Sequence, residues 1–210
     1  MLRLEEVERP EPAEGEVLIR VRAASVNPVD WKFRRGIVPK QLPAVLGNDV
    51  SGTVELSHAS DYSEGDEVFG IALSGAYAEF ATAPAALIAN KPAGVTHEQA
   101  AAIPVGGLTA WQALFDRGGL TRGQAALIAG AAGGVGHFAV QFAKHADARV
   151  IGTGSARNRD FVLGLAPSSS RTSPSWSPTA TCAWRSHRRS RSPMCPRRMS
   201  SASPGTSAAS

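Results

Sequence analysis

The chain has 210 residues, of which 43% are hydrophobic, and a formal net charge of +4 at pH 7. That length allows one or two domains with hydrophobic cores of their own. No apolar run is long enough to span a bilayer, and the sequence has no signal-peptide pattern. A membrane-spanning protein and a secreted protein are therefore not expected, and the predicted location is cytoplasmic.

Short predicted strands fill the first 95 residues, and Gly, Pro and Asp residues separate them. The strands are predicted at residues 16–26, 51–56, 66–72 and 76–82. A group of strands ahead of alternating strands and helices indicates a separate β-rich domain, here residues 1–95.

The second unit begins at Thr96, which is followed three residues later by Gln99. This is the spacing of a capping box, in which Thr96 caps the first turn of a helix and Gln99 reaches back to it. A further helix is predicted at residues 108–115, after a break at residues 104–107 that contains Pro and Gly.

The most informative stretch is the glycine-rich turn at residues 130–136, which follows a predicted strand at 125–129 and opens a predicted helix at 133–144. The strand is uniformly apolar, as is typical of a strand buried on both faces. The helical spacing places four apolar residues on one side: Val135, Phe138, Ala139 and Phe142.

This order of strand, turn and helix is the context of a dinucleotide-binding fingerprint, whose glycines let the backbone approach a pyrophosphate at the helix N-terminus. Against Gly-x-Gly-x-x-Gly, Ala131 takes the first place, and Gly133 and Gly136 take the other two. A turn that serves only for packing is the alternative, but the flanking elements favour a cofactor site. The predicted binding residues of the turn are Gly130, Ala131, Gly133, Gly134, Val135 and Gly136.

The next predicted strand, residues 149–155, indicates which cofactor is preferred. An NAD site usually ends this strand with an acidic residue that binds the ribose 2′-hydroxyl. Here Ser155 takes that place, and Arg157 and Arg159 follow. A guanidinium would hold the 2′-phosphate of NADP, which a carboxylate would repel. The pattern favours NADP(H), bound by Ser155 and Arg157, whereas Arg159 is equally well explained as a surface residue.

Seven motifs follow one another in an order that resembles the medium-chain dehydrogenase/reductase superfamily. They are AASVNPVDWKFRRG, LGNDVSGTV, GDEVFG, GAYAEFA, KPAGVTHEQAAAIPVGGLTAWQALFD, GAAGGVGHFAVQFAK and VIGTGSARNRDFV, within about residues 3–165. The chain is most similar to the zinc-independent quinone oxidoreductase branch, which is related to zeta-crystallin and to polyketide enoyl reductase domains.

The resemblance implies an α/β protein with a GroES-like β domain at residues 1–95, whose first strand is expected to be missing. An incomplete Rossmann domain, which is doubly wound, is implied at residues 96–165. The implied activity is hydride transfer from NADPH to a quinone, enone or similar carbonyl acceptor. Full-length relatives are expected to be homo-oligomers.

Two candidate catalytic residues come from the same resemblance. It places Asn27, from VNPVD, near the nicotinamide and the substrate, and Thr109, from GLTAWQAL, near the cofactor ring. Each residue also has a structural explanation, because Asn27 precedes a proline and suits a turn, and Thr109 suits a helix position with a bonded hydroxyl.

No metal site is predicted. The zinc-dependent relatives place a Cys where this chain has residues 25–27, and Gly-His-Glu where it has Gly47-Asn48-Asp49. A catalytic zinc needs three protein ligands, usually Cys, His or Glu. No Cys occurs before Cys182, and the histidines show no paired ligand spacing. Asp49 is interpreted as a structural acid in a turn.

The composition changes abruptly near residue 166. Residues 168–210 contain seven Arg, no acidic residue and no Leu, Ile, Val or Phe, so residues 166–210 are expected to be a disordered tail. The tail resembles arginine/serine segments that bind RNA, but translation in the wrong frame is the interpretation that we favour. A GC-rich codon run for Gly-Ala-Glu-Gln, GGC GCC GAG CAG followed by T, encodes Ala-Pro-Ser-Ser when it is read one base later, which matches residues 166–169.

The sequence thus predicts an NADP(H)-dependent oxidoreductase of small molecules, without nucleic-acid or membrane partners, that is inactive as this truncated chain. Two alternatives remain open: a non-catalytic NADP-binding fragment, and an RNA-binding protein that uses its tail. Tight NADPH binding without turnover would support the first, and salt-sensitive RNA binding that is lost with the tail would support the second.

Overall fold

The computed structural model describes residues 2–41 and 43–165. Two sheets organise this part of the chain: a five-stranded antiparallel sheet, and a parallel pair of strands later in the sequence. No helix within these ranges has the length and apolar character needed to cross a membrane. The expectations about the tail fall on residues 166–210 and lie outside the described residues.

The antiparallel sheet is the β-rich unit that the short alternating segments predict. Its strands are β1 (Glu16–Ala24), β2 (Asp49–Ser57), β3 (Glu67–Ile71), β4 (Phe80–Pro84) and β5 (Ile88–Asn90), in the spatial order β4-β1-β2-β3-β5. Its inward side chains form one hydrophobic core, which includes Val17, Ile19, Val50, Val54 and Val68. Burying each of these side chains contributes about 1.5–3 kcal/mol relative to exposing it.

Three of the four predicted strands are confirmed, with bounds that differ by at most two residues. The strand predicted at residues 76–82 is wrong in its first half. Gly75 has a φ of 106°, and the N–H groups of Ala76 and Tyr77 donate at 2.9 Å to carbonyl oxygens of the loop at residues 46–47. β5 was not predicted, because three residues are too few for a periodic signal.

Three helices accompany the sheet: α1 (Pro28–Arg34), α2 (His97–Ala101) and α3 (Pro104–Trp111), of which α2 and α3 pack against its strands. The capping box predicted at the start of α2 is confirmed. The Thr96 hydroxyl accepts from the Gln99 N–H at 3.2 Å, and the Gln99 side chain accepts from the Thr96 N–H at 3.0 Å.

The break predicted at residues 104–107 is wrong, whereas the helix predicted at 108–115 is confirmed but begins four residues earlier. Pro104 instead begins α3, where its missing N–H costs nothing because N–H groups of the first turn have no intrahelical partner. The helix then continues through residues 112–117 as a π-helical turn. Gly106 and Gly107 are buried inside α3, where they allow close packing instead of ending the helix.

The parallel pair consists of β6 (Ala125–Ile128) and β7 (Arg149–Gly152), which are connected by α4 (Gly136–His145) and followed by α5 (Arg159–Gly164). This strand–helix–strand unit has its own core, which includes Ile128, Ala131, Val140 and Ala143. The architecture is therefore α/β, with a β-rich N-terminal unit ahead of part of a doubly wound unit.

Two predictions about burial in this unit are wrong. β6 is not buried on both faces, because Leu127 is 72% exposed. Within the described residues β6 pairs with β7 alone, so the apolar face around Leu127 stays open. Val135 is also exposed, because α4 begins only at Gly136 and Val135 belongs to the preceding turn.

Candidate cofactor-binding and active site

The glycine-rich turn at residues 130–136 connects the end of β6 to the start of α4. Gly130 has a φ of 66°, a conformation that side chains other than glycine rarely adopt. A Cβ on Gly136 would lie 2.1 Å from the Gly130 carbonyl oxygen, so the chain crosses itself here at a distance that only glycine permits. Ala131, at the first place of the fingerprint, is fully buried in the core beneath the turn.

Thr153, directly after β7, fixes the position of this turn. Its hydroxyl accepts from the Gly130 N–H at 3.3 Å, and its carbonyl oxygen accepts from the Ala131 N–H at 2.8 Å. These two hydrogen bonds hold the carboxyl ends of β6 and β7 together. In open α/β sheets, ligands bind at this carboxyl edge. No pattern in the sequence indicated this role of Thr153.

Ser155 and Arg157 lie just past that edge, and both are exposed. Ser155 lines an open cleft of about 370 Å³ between β7, α4 and α5, which also contains Lys144 and Arg159. Small-molecule sites typically enclose roughly 300–1,000 Å³, so the cleft is at the small end of that range. Arg157 is not part of the lining, whereas Arg159, which the sequence left undecided, is.

These residues fit a dinucleotide. The space above Gly134 is open, since a Cβ built there would have no atom within 4 Å. The N-terminus of α4 supplies free N–H groups and partial positive charge beside that space. The nearby cleft adds the cations Lys144 and Arg159 next to Ser155. A pyrophosphate and a phosphorylated ribose are the chemical groups that such an arrangement can bind.

Asn27 caps α1 at the end of β1. Its side-chain Nδ2 donates to the Ser25 hydroxyl at 3.1 Å and to Oδ2 of Asp49 at 2.8 Å. Its backbone N–H donates to the Asp30 carboxylate at 2.7 Å. Both protons of the Asn27 amide are therefore engaged, and the side chain is held in place rather than free to turn.

Asp49 is the first residue of β2, and it is fully buried. Its Oδ2 accepts from the Ser25 hydroxyl at 2.6 Å as well as from Asn27, and its Oδ1 accepts from the Val105 N–H in α3 at 3.0 Å. Burial raises the pKa of Asp49, although the donated hydrogen bonds act in the opposite direction. The interpretation of Asp49 as an acid in a turn is therefore wrong.

Asp30 and Tyr77 extend the same polar cluster. The Tyr77 hydroxyl donates to Oδ2 of Asp30 at 2.9 Å, and burial together with this carboxylate raises the pKa of Tyr77. Asp30 is 3% exposed, and its Oδ1 has no hydrogen-bond partner within the described residues. The cluster thus holds two buried carboxylates close to Asn27.

Thr109 is exposed on α3, and its hydroxyl donates to the Val105 carbonyl oxygen at 2.7 Å. The neighbouring Gly106 faces the glycine-rich turn, because a Cβ on it would lie 3.0 Å from the Gly134 carbonyl oxygen. The first turn of α3 therefore contacts both the Asp49 cluster and the predicted cofactor turn. Thr109 lies on this same helix, which Asp49 connects to Asn27 and which packs against the glycine-rich turn at Gly106.

No group of three or more His, Cys, Asp or Glu side chains that could hold a metal ion occurs in the part of the chain that the structure describes. In the two segments where the resemblance places the zinc ligands of zinc-dependent relatives, residues 25–27 and 47–49, the side chains of Ser25 and Asn27 donate to Asp49.

Comparison with known proteins agrees with this arrangement. Residues 13–93 match the alcohol dehydrogenase GroES-like domain. A chloroplastic quinone-oxidoreductase homolog from Spinacia oleracea is 40% identical over 174 residues, which are 76% of this chain and 53% of that protein. The chain thus spans about half the length of the curated relatives that it matches.

Two solved structures have the same fold. An alcohol dehydrogenase superfamily protein from Novosphingobium aromaticivorans superposes with a TM-score of 0.74 at 36% identity, over 85% of this chain and 58% of that one. A mycobacterial protein, solved in complex with NADPH, superposes with a TM-score of 0.72 at 40% identity, over 78% of this chain and 51% of that one.

The fold, the glycine-rich turn and these matches define the class: the chain belongs to the medium-chain dehydrogenase/reductase superfamily, as the order of its motifs indicated. Quinone oxidoreductases from Sus scrofa and Homo sapiens are 39% and 36% identical to it, and a chloroplast envelope quinone oxidoreductase homolog from Arabidopsis thaliana is 42% identical.

Proposed function

We propose that the chain is an NADP(H)-dependent oxidoreductase that transfers hydride to a quinone, an enone or a similar carbonyl acceptor. The observation that carries the proposal is the glycine-rich turn, held by Thr153 at the carboxyl ends of β6 and β7. The names of the quinone oxidoreductase relatives and the NADPH complex of the mycobacterial protein support it.

The proposed preference for NADP(H) over NAD(H) depends on the residues after β7. Ser155 stands where an acidic residue would bind the ribose of NAD. Three cations occur nearby: Lys144 on α4, Arg157 ahead of α5 and Arg159 at the start of α5. Ser155 and Arg157 are the proposed contacts to the 2′-phosphate. The place of Arg159 in the cleft makes it a third candidate.

The chemistry proposed for Asn27 and Thr109 is positioning. NADPH supplies a hydride when it is bound. The single hydroxyl proton of Thr109 is donated to Val105, and both amide protons of Asn27 are donated to Ser25 and Asp49. Neither residue has a donor left for the oxygen of an acceptor. These contacts therefore favour positioning over a role as hydrogen-bond donors to a negative charge that develops on the acceptor.

We also propose that the reaction is zinc-independent, because Ser25, Asn27 and Asp49 satisfy one another by hydrogen bonds at the position of the zinc site of relatives. This donor set offers one carboxylate and no thiolate or imidazole, which are the usual zinc ligands.

Binding and turnover together test the proposal. NADPH and NADH are titrated by fluorescence, and NADPH oxidation with a simple quinone is followed by absorbance, with and without a chelator. The proposal expects NADPH to bind more tightly than NADH, and any quinone-dependent oxidation to be unchanged by the chelator. The sequence predicts little or no oxidation by this chain. Tight NADPH binding with no oxidation would favour the non-catalytic NADP-binding fragment, and absence of binding would overturn the proposal.

A further inference from the structure

The Asp49 carboxylate joins groups that are far apart in the sequence. Its Oδ2 accepts from Ser25 and Asn27 in the β-rich unit, and its Oδ1 accepts from the N–H of Val105 in α3. Three donors thus converge on one fully buried side chain. Val105 and Asp49 are 56 residues apart, so this contact is not a consequence of local chain geometry.

The same carboxylate therefore sets two positions at once. It holds the side chain of Asn27 directly. It also holds the first turn of α3, where Gly106 packs against the carbonyl oxygen of Gly134 in the glycine-rich turn. Any movement of Asp49 would change the position of Asn27 relative to the turn that is proposed to bind the cofactor.

Only a carboxylate satisfies all three donors. An amide has one acceptor oxygen, and its NH₂ group would face donor protons of Ser25 or Asn27. No Lys, Arg or His pairs with Asp49 among the ion pairs of the described residues. Burying a carboxylate without a cationic partner costs desolvation free energy. We therefore attribute the role of Asp49 to the geometry that it imposes and not to a gain in stability.

We infer that Asp49 is a positioning residue that holds Asn27, the first turn of α3 and, through α3, the glycine-rich turn in one fixed arrangement. The inference rests on the proposed function, since it takes Asn27 as the side chain that must be placed beside the cofactor and acceptor.

The test compares Asp49→Asn with the matched control Asp66→Asn by NMR of the full chain. Asp66 is suitable because its carboxylate also accepts a backbone N–H, that of Ser63 at 2.8 Å, but in a turn far along the same sheet. The signals are the side-chain amide protons of Asn27, assigned by their loss in Asn27→Ala, and the backbone amide of Val105.

In Asp49→Asn we expect all three protons to exchange with solvent at least about tenfold faster, as expected for the loss of a hydrogen bond to a charged group. The remaining backbone signals should keep their positions. Asp66→Asn should leave the three protons unchanged. A folded Asp49→Asn variant in which they exchange at the wild-type rate would overturn the inference.

If Asp49→Asn does not fold, a pH titration of the wild-type chain decides. The NMR signals of Asn27 and Val105 should shift with pH, and the two shifts should have the same midpoint. Asp30 and Tyr77 are the other titratable groups that face this cluster, so the titration is repeated in Asp30→Asn and in Tyr77→Phe to identify their effects on the signals. Separate midpoints for Asn27 and Val105 would overturn the inference. NADPH binding, measured in parallel, tests the proposed function alone, because the NMR comparison needs no cofactor.

Discussion

Leu127 of β6 and Ile151 of β7 lie directly opposite each other in the parallel pair, and they are 72% and 49% exposed. Parallel strands are normally covered on both faces, and these two apolar side chains are on a face that the described residues leave open. The neighbouring Ile128 points to the other face and is buried in the core. Only one face of the strand pair therefore contributes to the hydrophobic core, whereas the other exposes apolar side chains.

We expect Leu127→Thr combined with Ile151→Thr to reduce self-association, because the double substitution removes an exposed apolar pair. The free energy of unfolding should change by less than about 1 kcal/mol, since exposed positions contribute little. Light scattering against concentration and urea unfolding measure the two effects. Ile128→Ala is the control on the buried face and should cost about 2–5 kcal/mol. Equal scattering by the wild type and the double variant would contradict the expectation.

The glycine-rich turn predicts opposite outcomes for two alanine substitutions. Gly136→Ala places a Cβ against the Gly130 carbonyl oxygen and should cost about 1–3 kcal/mol of unfolding free energy. Gly134→Ala meets no atom within 4 Å, so the fold should keep its stability. The added methyl group would nevertheless occupy the space proposed for the pyrophosphate, and NADPH should bind more weakly. Unchanged NADPH affinity in Gly134→Ala would place the pyrophosphate elsewhere.

Cofactor preference should depend on the cations after β7. A hydrogen bond to a charged group contributes about 1.5–3 kcal/mol, so Arg157→Ala should weaken NADPH binding by tenfold or more and leave NADH binding unchanged. Arg159→Ala is compared with it, because Arg159 lines the cleft. Arg122→Ala is the control, since Arg122 pairs with Asp147 away from the cleft. Equal weakening of both cofactors in Arg157→Ala would mean that Arg157 has only a structural role.

The stability of the chain should depend on pH through Asp49. Burial raises the pKa of Asp49 in the folded state, so the folded chain binds a proton at a higher pH than the unfolded chain does. The unfolding free energy contributed by Asp49 therefore rises as the pH falls through its folded-state pKa, and it is absent well above that pKa. Hydrogen bonding to Arg20 lowers the pKa of Glu55, so that residue acts in the opposite sense.

A difference measurement isolates this effect. Urea unfolding of the wild type and Asp49→Asn between pH 7 and pH 4 should show the wild type gaining stability relative to the variant as the pH falls. A gap that stays constant across this range would mean that Asp49 titrates alike in the folded and unfolded chains.

The features that the sequence predicted correctly depend on local patterns. The capping box at Thr96 needs only the residues up to Gln99, and the glycine-rich turn needs only its flanking strand and helix. The start of α3 was missed for the opposite reason, because Pro104 was interpreted as a break although proline is well suited to the first helical position.

The centre of the site could not be predicted because it depends on contacts between distant residues. Asp49 accepts hydrogen bonds from Ser25, Asn27 and Val105, and no spacing in the sequence predicts these contacts. The exposure of Leu127 likewise depends on which strands pair with β6.

The contacts of Asp49 also bear on the order of events during folding. They close loops of 22, 24 and 56 residues, whereas the capping box at Thr96 and the turns of α4 involve neighbours only. Closing a long loop costs chain entropy before its contacts provide compensating free energy. We therefore expect local elements to form early and the Asp49 cluster to assemble late. Substitutions in this cluster should therefore speed unfolding far more than they slow refolding, and the cluster governs how long the assembled site persists.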